Sequence, residues 1–125
     1  MNYRWFRAVR HYLLAAPDSI RASELVDSLK SFAQSADWSH QKAWMNMSAS
    51  HDAPRLATAM LNRNAYKQGA NRDNAAYKIH KPNQNARVRQ RLFLLLQFTM
   101  PGSPQIYNGD EMGMWGADDP GNRKP

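Results

Sequence analysis

Two adjacent pairs of titratable residues carry most of the chemical potential of this sequence, His51-Asp52 and Asp110-Glu111. As a catalytic dyad His51-Asp52 lacks a nucleophile, because Ser48 and Ser50 stand outside any G-x-S-x-G elbow. Adjacent residues on a strand point to opposite faces, although a strand end can turn both toward one cleft. Spacing alone favours a structural role in which Asp52 accepts backbone N–H bonds at the start of the next helix. Asp110-Glu111 suggests glycoside hydrolysis, but retaining enzymes need carboxyl groups roughly 5–5.5 Å apart across the substrate. Sequence neighbours do not readily face each other so, and a turn-stabilising role is expected. His11, His40, His51 and His80 are widely separated, with no H-E-x-x-H spacing. Asp118 and Asp119 could bind calcium, but D-D-P-G-N lacks the alternating ligands and terminal Glu of an EF-hand loop. No cofactor is expected. Gly109, Gly113 and Gly116 fall in a tail rather than between a strand and a helix, so no phosphate loop is present.

The elements that must position these groups follow from periodicity. Trp5, Val9, Tyr12 and Ala16, with Phe6 and Leu13 alongside, predict an amphipathic helix stopped by Pro17. Leu25, Val26, Leu29, Phe32 and Ala33 predict a second, with Ser23 as N-cap and Glu24 at its positive end. Residues 34–42 read as a polar connector. Trp44 to Ala49 alternates in polarity and reads as a short strand ending in Ser50-His51-Asp52-Ala53-Pro54-Arg55. Pro54 suits the first turn of a helix carrying Leu56, Ala57, Met60 and Leu61. Six of the ten Asn residues fall between 62 and 85, with Gly69 and Pro82, which marks a long surface loop or insertion. Val88, Leu92, Leu95, Leu96 and Phe98 predict a strongly apolar helix, with Leu92 to Leu96 buried. Pro101-Gly102-Ser103-Pro104 breaks it, and Gln105-Ile106-Tyr107 reads as a buried strand. Strands alternating with helices imply parallel α/β architecture, in which chemistry sits just beyond the carboxyl ends of strands. Both titratable pairs lie at those ends.

Composition narrows the function classes. The chain has 125 residues, no Cys, 42% hydrophobic residues and a formal net charge of +7, which is globular composition without disulfides or thiolate metal sites. The positive charge is scattered; even Arg87, Arg89 and Arg91 read as a solvated helix face rather than a phosphate-binding surface. Neither a nucleic acid nor a membrane is expected as partner: the longest apolar run is five residues, against the ~20 of a membrane span. The start M-N-Y-R-W-F-R-A-V-R-H-Y-L-L has no separate apolar core or small-residue cleavage site and does not read as a signal peptide; localisation stays open.

The stretch S-H-D-A-P-R at 50–55 resembles the strand-seven motif of glycoside hydrolase family 13, the α-amylase family, in the form S-H-D-T-P-R of its neopullulanase and cyclomaltodextrinase branch. T-M-P-G-S-P-Q-I-Y-N-G-D-E-M-G-M at 99–114 resembles the strand-eight motif, with P-G-x-P and G-D-E-x-G. W-G-A-D-D-P-G-N-R-K-P at 115–125 resembles the D-P-x-x-R-x-P segment that follows in that branch, and M-N-Y at 1–3 the end of strand six. The motifs occur in family order over nearly the whole chain.

The resemblance implies part of a (β/α)₈ TIM barrel, from the end of strand six through strand eight and its loop. A whole barrel takes roughly 250 residues. It further implies a retaining α-glucan hydrolase acting on maltodextrins, cyclodextrins or pullulan. Asp52 would be the carboxylate that holds sugar hydroxyls and supports the oxocarbenium-like transition state, and His51 would bond the same ring. Asp119 and Arg123 would contact the next glucose outward. Arg55 lies in the motif as a substrate contact or as scaffolding, while Tyr107, Gly109 and Glu111 match positions of structural role. The nucleophile and the acid/base Glu belong to strands four and five, and no G-x-R-x-D or G-E-x-W pattern occurs in the sequence. These 125 residues alone are therefore expected to be inactive. The expected partners are an α-glucan oligosaccharide and the remainder of the barrel, with self-association through open barrel edges. An alternative is a non-catalytic carbohydrate-binding or interaction module derived from such an enzyme, in which Trp and Tyr faces stack on sugar rings.

Overall fold

A computed structural model describes residues 1–65 and 69–123. Helix α1 (Tyr3–Leu14) starts where the Asn2 side chain accepts a hydrogen bond from the Trp5 N–H. Its predicted stripe is the buried one, with Trp5, Phe6, Val9, Leu13 and Leu14 inward, and it ends before Pro17. Helix α2 (Ala22–Gln34) begins two residues earlier than Ser23 would place it. Its N-cap is Arg21, whose backbone N–H donates to the Glu24 carboxylate at 2.8 Å, so the acid of the first turn replaces a hydroxyl cap. The expected connector at 34–42 contains a further short helix, α3 (Trp38–Lys42). Asp37 starts it by accepting from the His40 N–H at 3.0 Å, a local signal hidden by the polarity of the segment.

Strand β1 (Met45–Met47) is followed by helix α4 (Leu56–Leu61). Pro54 lies one residue before the N-cap Arg55 rather than inside the helix. Helix α5 (Gln84–Thr99) is capped by Asn83, whose side chain accepts from the Ala86 N–H at 2.9 Å. Strand β2 (Ser103–Gln105) pairs parallel to β1, with Met45 opposite Ser103 and Met47 opposite Gln105. This strand precedes the expected Gln105-Ile106-Tyr107. Gly102 decides that: at φ +121° it lets the chain approach Trp44, where a Cβ would come within 2.7 Å of the Trp44 carbonyl oxygen. Pairing therefore starts at Ser103, whose N–H donates to that carbonyl at 2.6 Å. Beside β1 on its other edge, the Asn2 N–H donates to the Met45 carbonyl at 2.8 Å.

Helices α1, α2, α4 and α5 gather around one core of Trp5, Val9, Leu29, Met47, Met60 and Phe93, with the Trp5 and Phe93 rings edge to face at 5.4 Å. Helix α5 departs from the expectation of a buried apolar helix. Its inward residues are Ala86, Gln90, Phe93 and Gln97, while Val88, Leu92, Leu95 and Phe98 are 45–59% exposed. The reason is the polar floor beneath the strands: the Gln97 amide donates to the Asn46 and Gln105 carbonyls, both at 2.8 Å, and ties α5 across β1 and β2. Leu94 and Leu96 still pack on the core.

Among the described residues, the Asn-rich stretch from 62 to 65 and from 69 to 83 runs as turns and bends up to the start of α5. Its side chains order it: Asn62 accepts from the Lys78 N–H at 2.8 Å and donates to the Lys78 carbonyl at 2.9 Å, and Asn71 receives the N–H groups of Asp73 and Asn74. Positions 66–68 of this loop and 124–125 lie outside the described residues. No helix among the described residues is long and apolar enough to cross a membrane.

Candidate functional site

The site is built at the carboxyl ends of the two parallel strands. Beyond β1 the chain turns sharply, with the Ser50 hydroxyl accepting from the Asp52 N–H at 3.1 Å and the Ser50 carbonyl from the Ala53 N–H at 3.3 Å. His51 and Asp52 stand on the outside of that turn, more than half exposed, with His51 Nε2 3.3 Å from Asp52 Oδ2. The turn thus brings two consecutive side chains together, which a regular strand would have separated.

Arg55 is the opposite case. It is 3% exposed, and its Nη1 donates to the Asn108 carbonyl at 2.7 Å and to Asp110 Oδ1 at 3.4 Å. The guanidinium also lies 4.9 Å from the centre of the Tyr107 ring. Burial pushes the Asp110 carboxyl up to about 6, against the pull of the Arg55 charge and of the Leu56 N–H. Arg55 Nε and Asp110 Oδ2 have no partner among the described residues, so the pair is only partly compensated. Arg55 thereby joins the end of β1 to the loop after β2, and its side chain faces that loop rather than the surface.

The tail returns to the same place. Glu111 accepts from the Gly109 N–H at 2.9 Å, closing a turn as expected of it. Gly109 is required there, because its φ is +93° and a Cβ would run into the Met114 sulfur. Gly116 then docks on α4, with its N–H donating to the Thr58 hydroxyl at 2.8 Å and its carbonyl accepting from the Arg55 N–H at 3.3 Å. Asp119 and Arg123 form a two-pronged pair, Nε to Oδ1 at 2.7 Å and Nη2 to Oδ2 at 2.9 Å, about half exposed.

Asn122 connects the two exposed pairs. Fully buried, its amide nitrogen is shared among the carbonyls of Ser50, His51 and Ala53 at 3.1, 2.9 and 2.8 Å. It fixes the turn holding Asp119 and Arg123 directly onto the turn holding His51 and Asp52. Sequence reasoning missed this residue, since an Asn after Gly in a D-P-G-N-R loop looks like any turn Asn. The described residues gather no group of three His, Asp or Glu side chains that could hold a metal ion.

A parallel strand pair carrying acidic and basic hydrogen-bonding side chains at its carboxyl end, backed by helices, is a portion of an α/β enzyme-type domain. A sequence model of the alpha amylase catalytic domain matches residues 1–123, and the chain belongs to that family. It is 34% identical over 127 aligned positions to a cyclomaltodextrinase of Geobacillus thermopakistaniensis (strain MAS1), covering 95% of this chain and 18% of that protein. It is 30% identical to a maltogenic alpha-amylase of Bacillus acidopullulyticus, covering 95% of this chain and 18% of that protein. Among solved structures it is similar to the ligand-free cyclic alpha-maltosyl-(1→6)-maltose hydrolase of Arthrobacter globiformis. The TM-score is 0.69 at 25% identity, over 98% of this chain and 22% of that one. The chain thus spans about a fifth of the length of these relatives.

Proposed function

We propose that these residues are the part of a (β/α)₈ barrel from the end of strand six through strand eight and its loop, in an enzyme that hydrolyses α-glucans such as maltodextrins, cyclodextrins or pullulan. In this reading Met1–Tyr3 end strand six, β1 is strand seven and β2 is strand eight. Asp52 is the carboxylate that stabilises the flattened, positively charged sugar ring, and His51 bonds the same ring. Asp119 and Arg123 hold hydroxyls of the neighbouring glucose. Arg55 is a positioning residue, since its buried guanidinium ties the loop after strand eight to the strand-seven turn.

The observation that carries the reading is the Asn122 amide, which fastens the Asp119–Arg123 pair to the backbone of Ser50, His51 and Ala53. Two pairs distant in sequence are thereby held side by side, exposed and rich in donors and acceptors. That suits a polyhydroxyl ligand better than a metal or a phosphate. The exposed face of α5 and the strand edges are the surfaces that further barrel elements would cover, and they favour self-association of the isolated chain.

Retaining hydrolysis needs a nucleophile and an acid/base carboxyl, and the 125 residues hold neither motif. The purified chain is expected to release no reducing sugar from maltodextrin. Reproducible turnover that disappears in Asp52→Ala would overturn this. A second reading, sugar binding without catalysis, is favoured by the fact that both pairs form within the chain itself. Calorimetry with maltoheptaose separates the two: heat that depends on Asp119 supports binding by the chain alone, and its absence leaves only the role inside a barrel.

A further inference from the structure

Next to the Asp119–Arg123 turn, the Asn-rich loop and the tail enclose a cleft of about 330 Å³. Arg72 and Ile79 of the loop form one wall, and Met114, Trp115 and Gly121 of the tail the other. That volume falls within the roughly 300–1,000 Å³ range of small-molecule sites.

Both walls are fixed from below. Ala70, Tyr77 and Ala117 make a small buried cluster of their own, apart from the main core. The Asp118 N–H donates to the Ala70 carbonyl at 2.7 Å, and the Asn62 clamp on Lys78 holds the far end of the loop. Two glycines let the tail fold tightly on itself in the wall of the cleft. A Cβ on Gly116 would strike the Gly121 carbonyl oxygen, and one on Gly121 would meet Ala117 at 3.2 Å and Arg72 Nε at 3.6 Å. Tyr77 is buried in this cluster, and that burial pushes its phenol up to about 12.

The lining has a defined chemistry. Trp115 is 41% exposed and Ile79 38%, which presents an aromatic plate and an aliphatic edge to solvent. Among the described residues Arg72 has no hydrogen-bond or ion-pair partner, and it lines the cleft as its one cationic side chain. Arg72 and Arg123 balance Asp118 and Asp119 in formal charge, so the cleft offers an anionic ligand no net attraction. A flat ring with an apolar face and hydroxyl rim matches both halves of the lining: the C–H face lies on the indole, and the hydroxyls accept from the guanidinium.

We propose that this cleft, built by the Asn-rich loop, is an additional subsite for one glucosyl ring of an α-glucan, beyond the ring held by Asp119 and Arg123. The inference rests on the α-glucan reading given above. Maltoheptaose is titrated into the chain by calorimetry and by tryptophan fluorescence, with Trp115→Ala, Arg72→Met and Asp119→Ala alongside. Trp115→Ala is expected to weaken binding about three- to tenfold and to abolish the sugar-induced change in emission. Arg72→Met, which keeps the length of the side chain, is expected to weaken binding by a smaller factor and guards against misfolding of the tryptophan variant. Asp119→Ala is expected to weaken binding while retaining the emission change at higher sugar concentration. Unaltered affinity in both Trp115→Ala and Arg72→Met, with loss in Asp119→Ala, overturns the subsite and leaves the α-glucan reading standing. Absence of binding in every protein overturns the subsite as a site formed by this chain and leaves the α-glucan reading to the role inside a barrel, which turnover by the purified chain tests separately.

Discussion

The rim at the strand ends and the outer face of α5 are finished to different degrees. At the rim, polar groups from positions 50–55 and 107–123 pair with one another: Arg55 with Asn108 and Asp110, Asn122 with three carbonyls, Asp119 with Arg123, while Arg55 Nε, Asp110 Oδ2 and Asn122 Oδ1 stay without a partner among the described residues. On α5, Val88, Leu92, Leu95 and Phe98 face solvent as an apolar stripe. Hydrogen bonds and ion pairs are short-range and directional, so a rim made of two neighbouring loops can pair most of its own polar groups. Apolar burial needs area, and a helix with core on one side only leaves its other side wet.

The contrast breaks most sharply at Arg55. Replacing it with Met removes the buried cation, leaves Asp110 without its partner, and is expected to cost about 3–5 kcal/mol. Denaturant unfolding followed by circular dichroism reads this directly; a loss under about 1 kcal/mol would mean that the pair is not what joins the two loops.

A smaller test uses pH. The folded chain holds the Asp110 proton up to about 6, whereas the unfolded chain releases it near the ordinary Asp value of about 3.9. Between those values the folded state binds more protons, so this group's contribution to stability is largest at the acid end and falls as pH rises toward 6. The difference in thermal midpoint between the wild type and Asp110→Asn, measured from pH 4 to 7, is expected to change through that window and to flatten above it. A difference that stays constant would sink the assignment.

The smallest effect on stability is expected on α5. Leu92→Lys combined with Leu95→Lys should alter unfolding free energy by no more than about 0.5 kcal/mol per site, since both side chains are exposed. The same change should shift sedimentation toward monomer if the stripe drives self-association. An unchanged sedimentation profile would show that association, if present, runs through the strand edges.

Much of this was legible in the sequence because it depends on local rules. The stripe from Trp5 to Leu13 buried as its spacing implied, Pro17 followed the end of α1, and the strand–helix alternation gave a parallel pair. The turn chemistry of Glu111 and Gly109 could also be read from residue type. Local rules erred where two weak signals competed. Asp37 nucleated a helix inside a polar stretch, Arg21 with Glu24 displaced Ser23 as the start of α2, and Gly102 moved β2 two residues earlier.

By itself the sequence determined which side chains follow the strands most closely, because residue order places His51-Asp52 and Asp110-Glu111 after their strands whatever the packing. Only the tertiary structure decided which of them face outward, that Arg55 is withdrawn beneath the rim, and that Asn122 fastens the two turns together. It alone brought the Asn-rich loop against Trp115 to make a cleft, and turned the polar Gln97 inward while Leu92 and Leu95 remained outside. Those outcomes rest on contacts between positions tens of residues apart. No spacing rule encodes them, because a buried amide or guanidinium finds its partner in space and not along the chain.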